Sequence, residues 1–81
     1  MKAYVLIETT PGKTKSIKRT LGKIKGGATE IVALDAVTGP YDFIAVIEGP
    51  GLDAIGQLVT ESLGAIDGVT RTTTCIAVSL G

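Results

Sequence analysis

The residues best suited to chemistry lie together in Val37-Thr38-Gly39-Pro40-Tyr41-Asp42, between two apolar runs. They offer a carboxylate, a phenol, a hydroxyl and backbone amides within one turn. Turn amides cradle an anion, a carboxylate accepts from an ammonium, and hydroxyls complete a polar shell. A small polar ligand fits that set. Gly39 tolerates backbone angles that other residues avoid, and Pro40 pre-sets the first corner of a turn. With Tyr41 rather than glycine at the next corner, type I is expected over type II. A plain hairpin would be served by Asn-Gly or Asp-Gly. A second reading stays open on turn chemistry alone: Tyr41 covers an apolar edge and Asp42 hydrogen-bonds its own turn. Thr72 and Thr74, two apart on one strand face, could add hydroxyls to a polar site. The same threonine run also suits a simple exposed edge.

Catalytic sets are missing. The chain has no histidine and one cysteine, Cys75. Serine–histidine and cysteine–histidine catalysis are thereby excluded. Zinc and haem need several such ligands, so neither a metal nor a cofactor is expected. An acylphosphatase-type nest needs an arginine in the first strand–helix loop and an asparagine. That loop reads Thr9-Thr10-Pro11-Gly12, and the chain has no asparagine. The expectation is a protein that is not an enzyme. A lone cysteine forms no internal disulfide, which fits a reducing cytoplasm. Cys75 itself is expected to be a buried small hydrophobe.

The chain has 81 residues, which predicts one domain over 1–81. A chain of this size buries only roughly 60–65% of its unfolded surface, so association often adds stability. Its apolar share of 44% is high for that length. No apolar run reaches the roughly 18 residues of a membrane span. The apolar start is too short for a signal peptide, so a cytoplasmic location is expected. The surplus apolar surface is expected to meet protein rather than lipid. The net charge is +0, which favours neither nucleic acid nor acidic partners.

The elements that must position the turn follow from periodicity. Residues 3–8 and 43–48 read as strands, as do 29–37 and 69–80. Thr10-Pro11 reads as a helix start, with a hydroxyl cap before proline. Ile17, Leu21 and Ile24 give that helix one apolar face, and Gly26-Gly27 ends it. Leu52, Ile55, Val59, Leu63 and Ile66 predict a second helix, stopped by Asp67-Gly68. The chain thus reads as two similar strand–helix–strand halves, with Gly27-Ala28-Thr29 and Gly68-Val69-Thr70 in equivalent places. Right-handed crossovers fold this order into a ferredoxin-like α+β sandwich of type βαββαβ. It has a four-stranded antiparallel sheet with both helices on one face. The first and third strands lie in the middle. Asp35 and the run 71–74 load the edges with polar groups, which discourages edge pairing.

Both faces of the central strands are apolar, whereas a half-solvated sheet should alternate. Helices cover one face only. Tyr4, Leu6, Ile44 and Val46 are therefore expected to form a homodimer interface, as stacked sheets. Lys13, Lys15, Lys18, Arg19, Lys23 and Lys25 crowd the first helix, out of 8 basic residues. The expectation is a solvated face balanced by Asp53 and Glu61 on the second helix. The sharper reading is a weak nucleic-acid contact. An RNA-recognition module shares the topology but stacks bases on central-strand rings, for which only Tyr4 and Phe43 are available.

The order strand–helix–strand, then Thr38-Gly39-Pro40-Tyr41-Asp42-Phe43, then strand–helix and Ile66-Asp67-Gly68-Val69, resembles one family. It is the effector domain of the leucine-responsive regulatory protein family, the Lrp/AsnC or feast/famine regulators. That domain is often called RAM. The likeness covers about residues 3–78. It implies dimers built by sheet stacking that assemble into octamer or decamer rings. It also implies a free amino acid or related metabolite bound between dimers. Carried over, the ligand-binding residues are Val37, Thr38, Gly39, Tyr41 and Asp42, with Thr72 and Thr74 as less direct contributors. Full-length members carry a helix-turn-helix ahead of this domain. With Met1-Lys2 at the start, a stand-alone form is expected, and direct DNA binding is not. Gly27-Ala28 stands where many members read Gly-Val. The expected role is an amino-acid-sensing, oligomerising regulatory module that pairs with full-length Lrp/AsnC regulators. A purely structural oligomerisation module and an ACT-type domain, which dimerises by other surfaces, stay as alternatives.

Overall fold

The computed structural model describes residues 1–24 and 27–81. Strand β1 is Lys2–Thr9, helix α1 Thr14–Leu21, β2 Glu30–Ala36 and β3 Phe43–Glu48. Helix α2, Leu52–Leu58, runs on into a π-helical turn, Val59–Leu63, and β4 is Val69–Ile76. The four strands form one antiparallel sheet in the order β2-β3-β1-β4. This is the ferredoxin-like α+β arrangement, with β1 and β3 central and β2 and β4 at the edges.

Alternation along the central strands builds the core. Ala3, Val5 and Ile7 of β1 and Phe43, Ala45 and Ile47 of β3 are fully buried. Cross-strand pairs Ala3–Ile47, Val5–Ala45 and Ile7–Phe43 put them on one face. Ile17 and Leu21 from α1, and Ile55, Leu58, Val59 and Leu63 from the second helix, close over it. Ile31, Leu34, Val69 and Ile76 extend the cluster onto the edge strands. Full burial of each large apolar side chain contributes about 1.5–3 kcal/mol, which makes this layer the main source of stability.

Several local expectations change. The first helix starts at Thr14, not at Thr10-Pro11, and no side chain caps it. Thr10-Pro11-Gly12-Lys13 is instead a β-turn, closed by the Lys13 amide donating to the Thr10 carbonyl at 3.2 Å. Gly12 has φ +89°, so proline followed by left-handed glycine makes a type II corner that a helix cannot share. The helix ends at Leu21 with Gly22 as its cap; Ile24 lies beyond it, half-buried against the core. Gly26 of the expected stop lies outside the described residues. Leu52 is 59% exposed rather than buried, because it opens α2 clear of the sheet. Ile66 lies beyond the π-helical turn, which ends at Leu63 with Gly64 as its cap, so the helical run stops before Asp67-Gly68. Strand β4 stops at Ile76, and residues 77–81 are exposed. Cys75 is exposed rather than buried: it pairs with Tyr4 on the sheet face away from the helices.

The two halves keep their equivalence. Gly27 and Gly68, placed ahead of β2 and β4, have φ +66° and +98°. Among the described residues, the ion pairs are Lys13–Asp67 and Arg71–Glu8. The expected balance of the first helix by Asp53 and Glu61 is therefore absent among those pairs. The Lys13 hydrogen bond, and then its charge, hold the Asp67 carboxyl below its ordinary value of 3.8. A lowered folded-state pKa contributes stability above the unfolded value, and that contribution is lost as pH falls through the folded value. Acid titration of Asp67→Asn should therefore show a shallower loss of melting temperature below about pH 4 than wild type. Because Asp67 is fully exposed, the difference is small.

Candidate functional site

Residues 37–42 form a six-residue loop joining β2 to β3, held by β1. The Val37 amide donates to the Asp42 carbonyl at 2.9 Å, and the Asp42 amide donates to the Ile7 carbonyl at 2.8 Å. The second bond takes the donor that would close a hydrogen-bonded type I turn from Gly39 to Asp42, so any turn there is an open one. Gly39 has φ +118°, a conformation that side chains resist. Oδ2 of Asp42 accepts from the Thr9 amide at 2.8 Å and from the Thr9 hydroxyl at 3.0 Å. Asp42 thus ties the entry of β3 to the exit of β1, rather than bonding its own turn. Each such bond contributes a net ~1 kcal/mol, more when charge-assisted. Thr9 was not foreseen as part of the site. It lies 33 positions from Asp42, beyond any local motif.

This pinning shapes what the loop offers. Thr38, Gly39 and Pro40 are exposed, and Val37, Tyr41 and Asp42 are half-buried. Among the described residues, the amides of Thr38, Gly39 and Tyr41 donate no hydrogen bond. Oδ1 of Asp42 has no partner among them either. Free amides beside a free carboxylate oxygen suit a molecule carrying both charges.

Thr72 and Thr74 share a face, as expected, opposite Ile7 and Val5. They do not reach the loop within one chain. Strand β1 lies between β3 and β4, so the two groups are separated by about two strand spacings, or ~10 Å. Two grooves among the described residues also lie elsewhere. One, of about 530 Å³, runs between the end of α1 and β2, with Leu21, Ile24, Ile31 and Leu34 in its lining. A second, of about 270 Å³, lies against α2 beside Thr29, Gln57 and Glu61. Neither includes a residue of the loop.

The face of the sheet away from the helices carries the other expected residues. Tyr4 pairs with Val46 and Leu6 with Ile44, giving one contiguous apolar patch. Tyr4 is 37% exposed although it belongs to a central strand. Ala33, Asp35, Thr73 and Cys75 flank the patch on the edge strands. Charged rows bound it at both ends. Glu30, Glu48 and Lys2 lie side by side at one end, and Glu8 with Arg71 at the other. Lys2 also lies 5.3 Å from the Tyr4 ring centre. An apolar middle with a charged rim is the anatomy of a protein–protein interface.

The model of the Lrp/AsnC ligand-binding domain matches residues 2–80. The chain belongs to this family. An HTH-type transcriptional regulator of Pyrococcus horikoshii, PH0140, is 27% identical over 78 residues. That match covers 96% of this chain and 47% of the regulator, so the chain spans about half its length. TTHA0845 from Thermus thermophilus superposes with a TM-score of 0.86 at 24% identity, covering 99% of this chain and 95% of that one. The Neisseria meningitidis transcriptional regulator NMB0573, solved as a complex with L-Met, gives a TM-score of 0.82 at 14% identity. It is covered over 50% of its length by 98% of this chain. At these identities the structural likeness shows the fold. The Lrp/AsnC domain family is one of regulatory ligand binding, related to transcription regulators, and not an enzyme family. Among the described residues, no helix is long and apolar enough to cross a membrane.

Proposed function

We propose that this Lrp/AsnC domain senses a free amino acid or a related metabolite and assembles through the open face of its sheet. The observation that carries the reading is the loop at 37–42. Its amides at Thr38, Gly39 and Tyr41 have no other acceptor among the described residues, next to the free Oδ1 of Asp42. The amides take the ligand carboxylate and Oδ1 takes its ammonium. Tyr41 lies along the side chain. The L-Met complex of NMB0573, which has the same fold, supports an amino acid as the ligand class.

One chain leaves this site open to solvent. Thr72 and Thr74 lie too far from the loop of their own chain, so hydroxyls reaching the ligand come from a neighbouring copy. A site shared between copies couples occupancy to assembly, because a ligand that binds only the assembled state stabilises it. Dimers form by stacking the Tyr4, Leu6, Ile44 and Val46 patches, and dimers join into octamer or decamer rings. The same patch lets the domain pair with full-length Lrp/AsnC regulators.

Native mass spectrometry with and without a panel of amino acids tests this. At least one amino acid should bind at millimolar concentration or below and should shift the ring population. If none binds at millimolar concentration, the sensing role fails and an assembly module without ligand is left.

A further inference from the structure

We propose that the outward face of α1 is a docking surface for a phosphate polymer, the backbone of a nucleic acid, contacted without sequence preference. The helix buries Ile17 and Leu21 and turns Lys15, Lys18 and Arg19 to solvent, with Lys13 and Lys23 exposed at its two ends. No acidic residue occurs between Glu8 and Glu30. Among the described residues, only Lys13 of this group has a carboxylate partner, Asp67. Lys15, Lys18, Arg19 and Lys23 have none.

The charges do not all serve the helix. Lys18 and Arg19 lie in its last turn, where cations suit the helix dipole. Lys15 lies in the first turn, where a cation opposes it, and that turn has no acid. Lys15 is also three and four positions from Lys18 and Arg19, the spacing at which like charges repel on a helix surface. A helix charged for its own stability would alternate signs and put acids first. The net charge of +0 excludes a general excess of cations. The balancing carboxylates lie elsewhere, Glu30 beside Glu48 on the open sheet face and Asp53 and Glu61 on the second helix. The cations are thus segregated, and a row of them left unneutralised fits a partner of dense negative charge.

A phosphate polymer is that partner. Lys15 and Arg19 are spaced by about 6 Å of helix rise, against one negative charge per ~1.7 Å of duplex axis. The face has no aromatic residue, since the rings of this chain are Tyr4, Tyr41 and Phe43. Base stacking is therefore absent and contact is to the backbone, which positions but does not specify.

The test uses the full chain and a fluorescein-labelled duplex of arbitrary sequence, followed by anisotropy between 50 and 200 mM salt. Up to four cations engaged should give a slope of log affinity against log salt between about −2 and −4, at ~0.9 per phosphate neutralised. Changing Lys15, Lys18, Arg19 and Lys23 together to glutamine should lower affinity at 50 mM salt at least tenfold and flatten the slope. The same variant should melt close to the wild-type temperature, because relief of the repulsion offsets the lost dipole contacts of Lys18 and Arg19. No binding of wild type at about 100 µM protein, the weak end of nonspecific binding, would overturn the proposal. So would a glutamine variant that binds like wild type, or one that loses affinity only because it no longer folds, since the charges would then serve the fold. Tighter binding of poly-glutamate than of duplex would assign the face to an acidic protein instead.

Discussion

Leu6→Lys and Val46→Glu are each expected to lower the assembly state to monomers while leaving the domain folded. Both side chains belong to the apolar patch on the open sheet face, Leu6 beside Ile44 and Val46 beside Tyr4. Both are half-buried by their strand neighbours alone, so a charge there stays solvated in the monomer. In a stacked dimer the same charge loses its water and finds no counter-ion in the middle of the patch. An unpaired buried charge costs several kcal/mol. Since 1.4 kcal/mol is tenfold, the dimer constant should weaken by at least about a hundredfold. Light scattering behind size exclusion reads the mass, and circular dichroism confirms the fold. A wild type that runs as a monomer at tens of micromolar would sink the stacking reading.

Asp42→Ala is expected to have two effects that a second variant at the same position separates. Removing the carboxylate leaves the Thr9 amide and hydroxyl without their acceptor. Leaving such half-buried donors unpaired costs about 1–3 kcal/mol. For a domain of this size the melting temperature should fall by roughly 4–8 °C per kcal/mol. Amino-acid affinity should also fall by roughly ten- to a hundredfold, the size of one charge-assisted hydrogen bond. Asp42→Asn retains an oxygen that can accept from Thr9, but removes the charge. It should recover most of the melting temperature and little of the affinity, as paired calorimetric titrations and melting curves would show. If the asparagine variant bound like wild type, Asp42 would be a support for the loop rather than a partner of the ammonium. If Asp42→Ala melted lower yet kept every affinity, the ligand would bind elsewhere.

What was legible in the sequence was what alternation and periodicity encode. The repeated strand–helix–strand order placed β1 and β3 in the middle, and the two-faced pattern of residues 3–8 and 43–48 left Tyr4, Leu6, Ile44 and Val46 facing away from the helices. The polar run at 71–74 marked an edge. Signals shared by two structures misled. Thr10-Pro11 fits a helix cap and a type II turn equally well, and the left-handed Gly12 decided for the turn. Cys75 is small and apolar, but its pairing with Tyr4 puts it on the open face at the edge. The loop at 37–42 was visible as a place, not as a mechanism. Its hydrogen bonds run to Ile7 and Thr9, which only the folded sheet brings near.

The sheet order has a kinetic consequence. Although the chain reads as two similar halves, neither contains the pairing that a free-standing unit would need. Strand β1 pairs with β3 and β4, and β2 pairs with β3. The pairs Ala3–Ile76 and Glu8–Arg71 join the first strand to the last. Strand β1 has no partner until β3 is made, and its other edge stays open until β4 follows. Contacts this distant in sequence slow folding relative to a helical bundle of the same length. The doubled pattern is thus one cooperative unit, completed only when β4 docks beside β1.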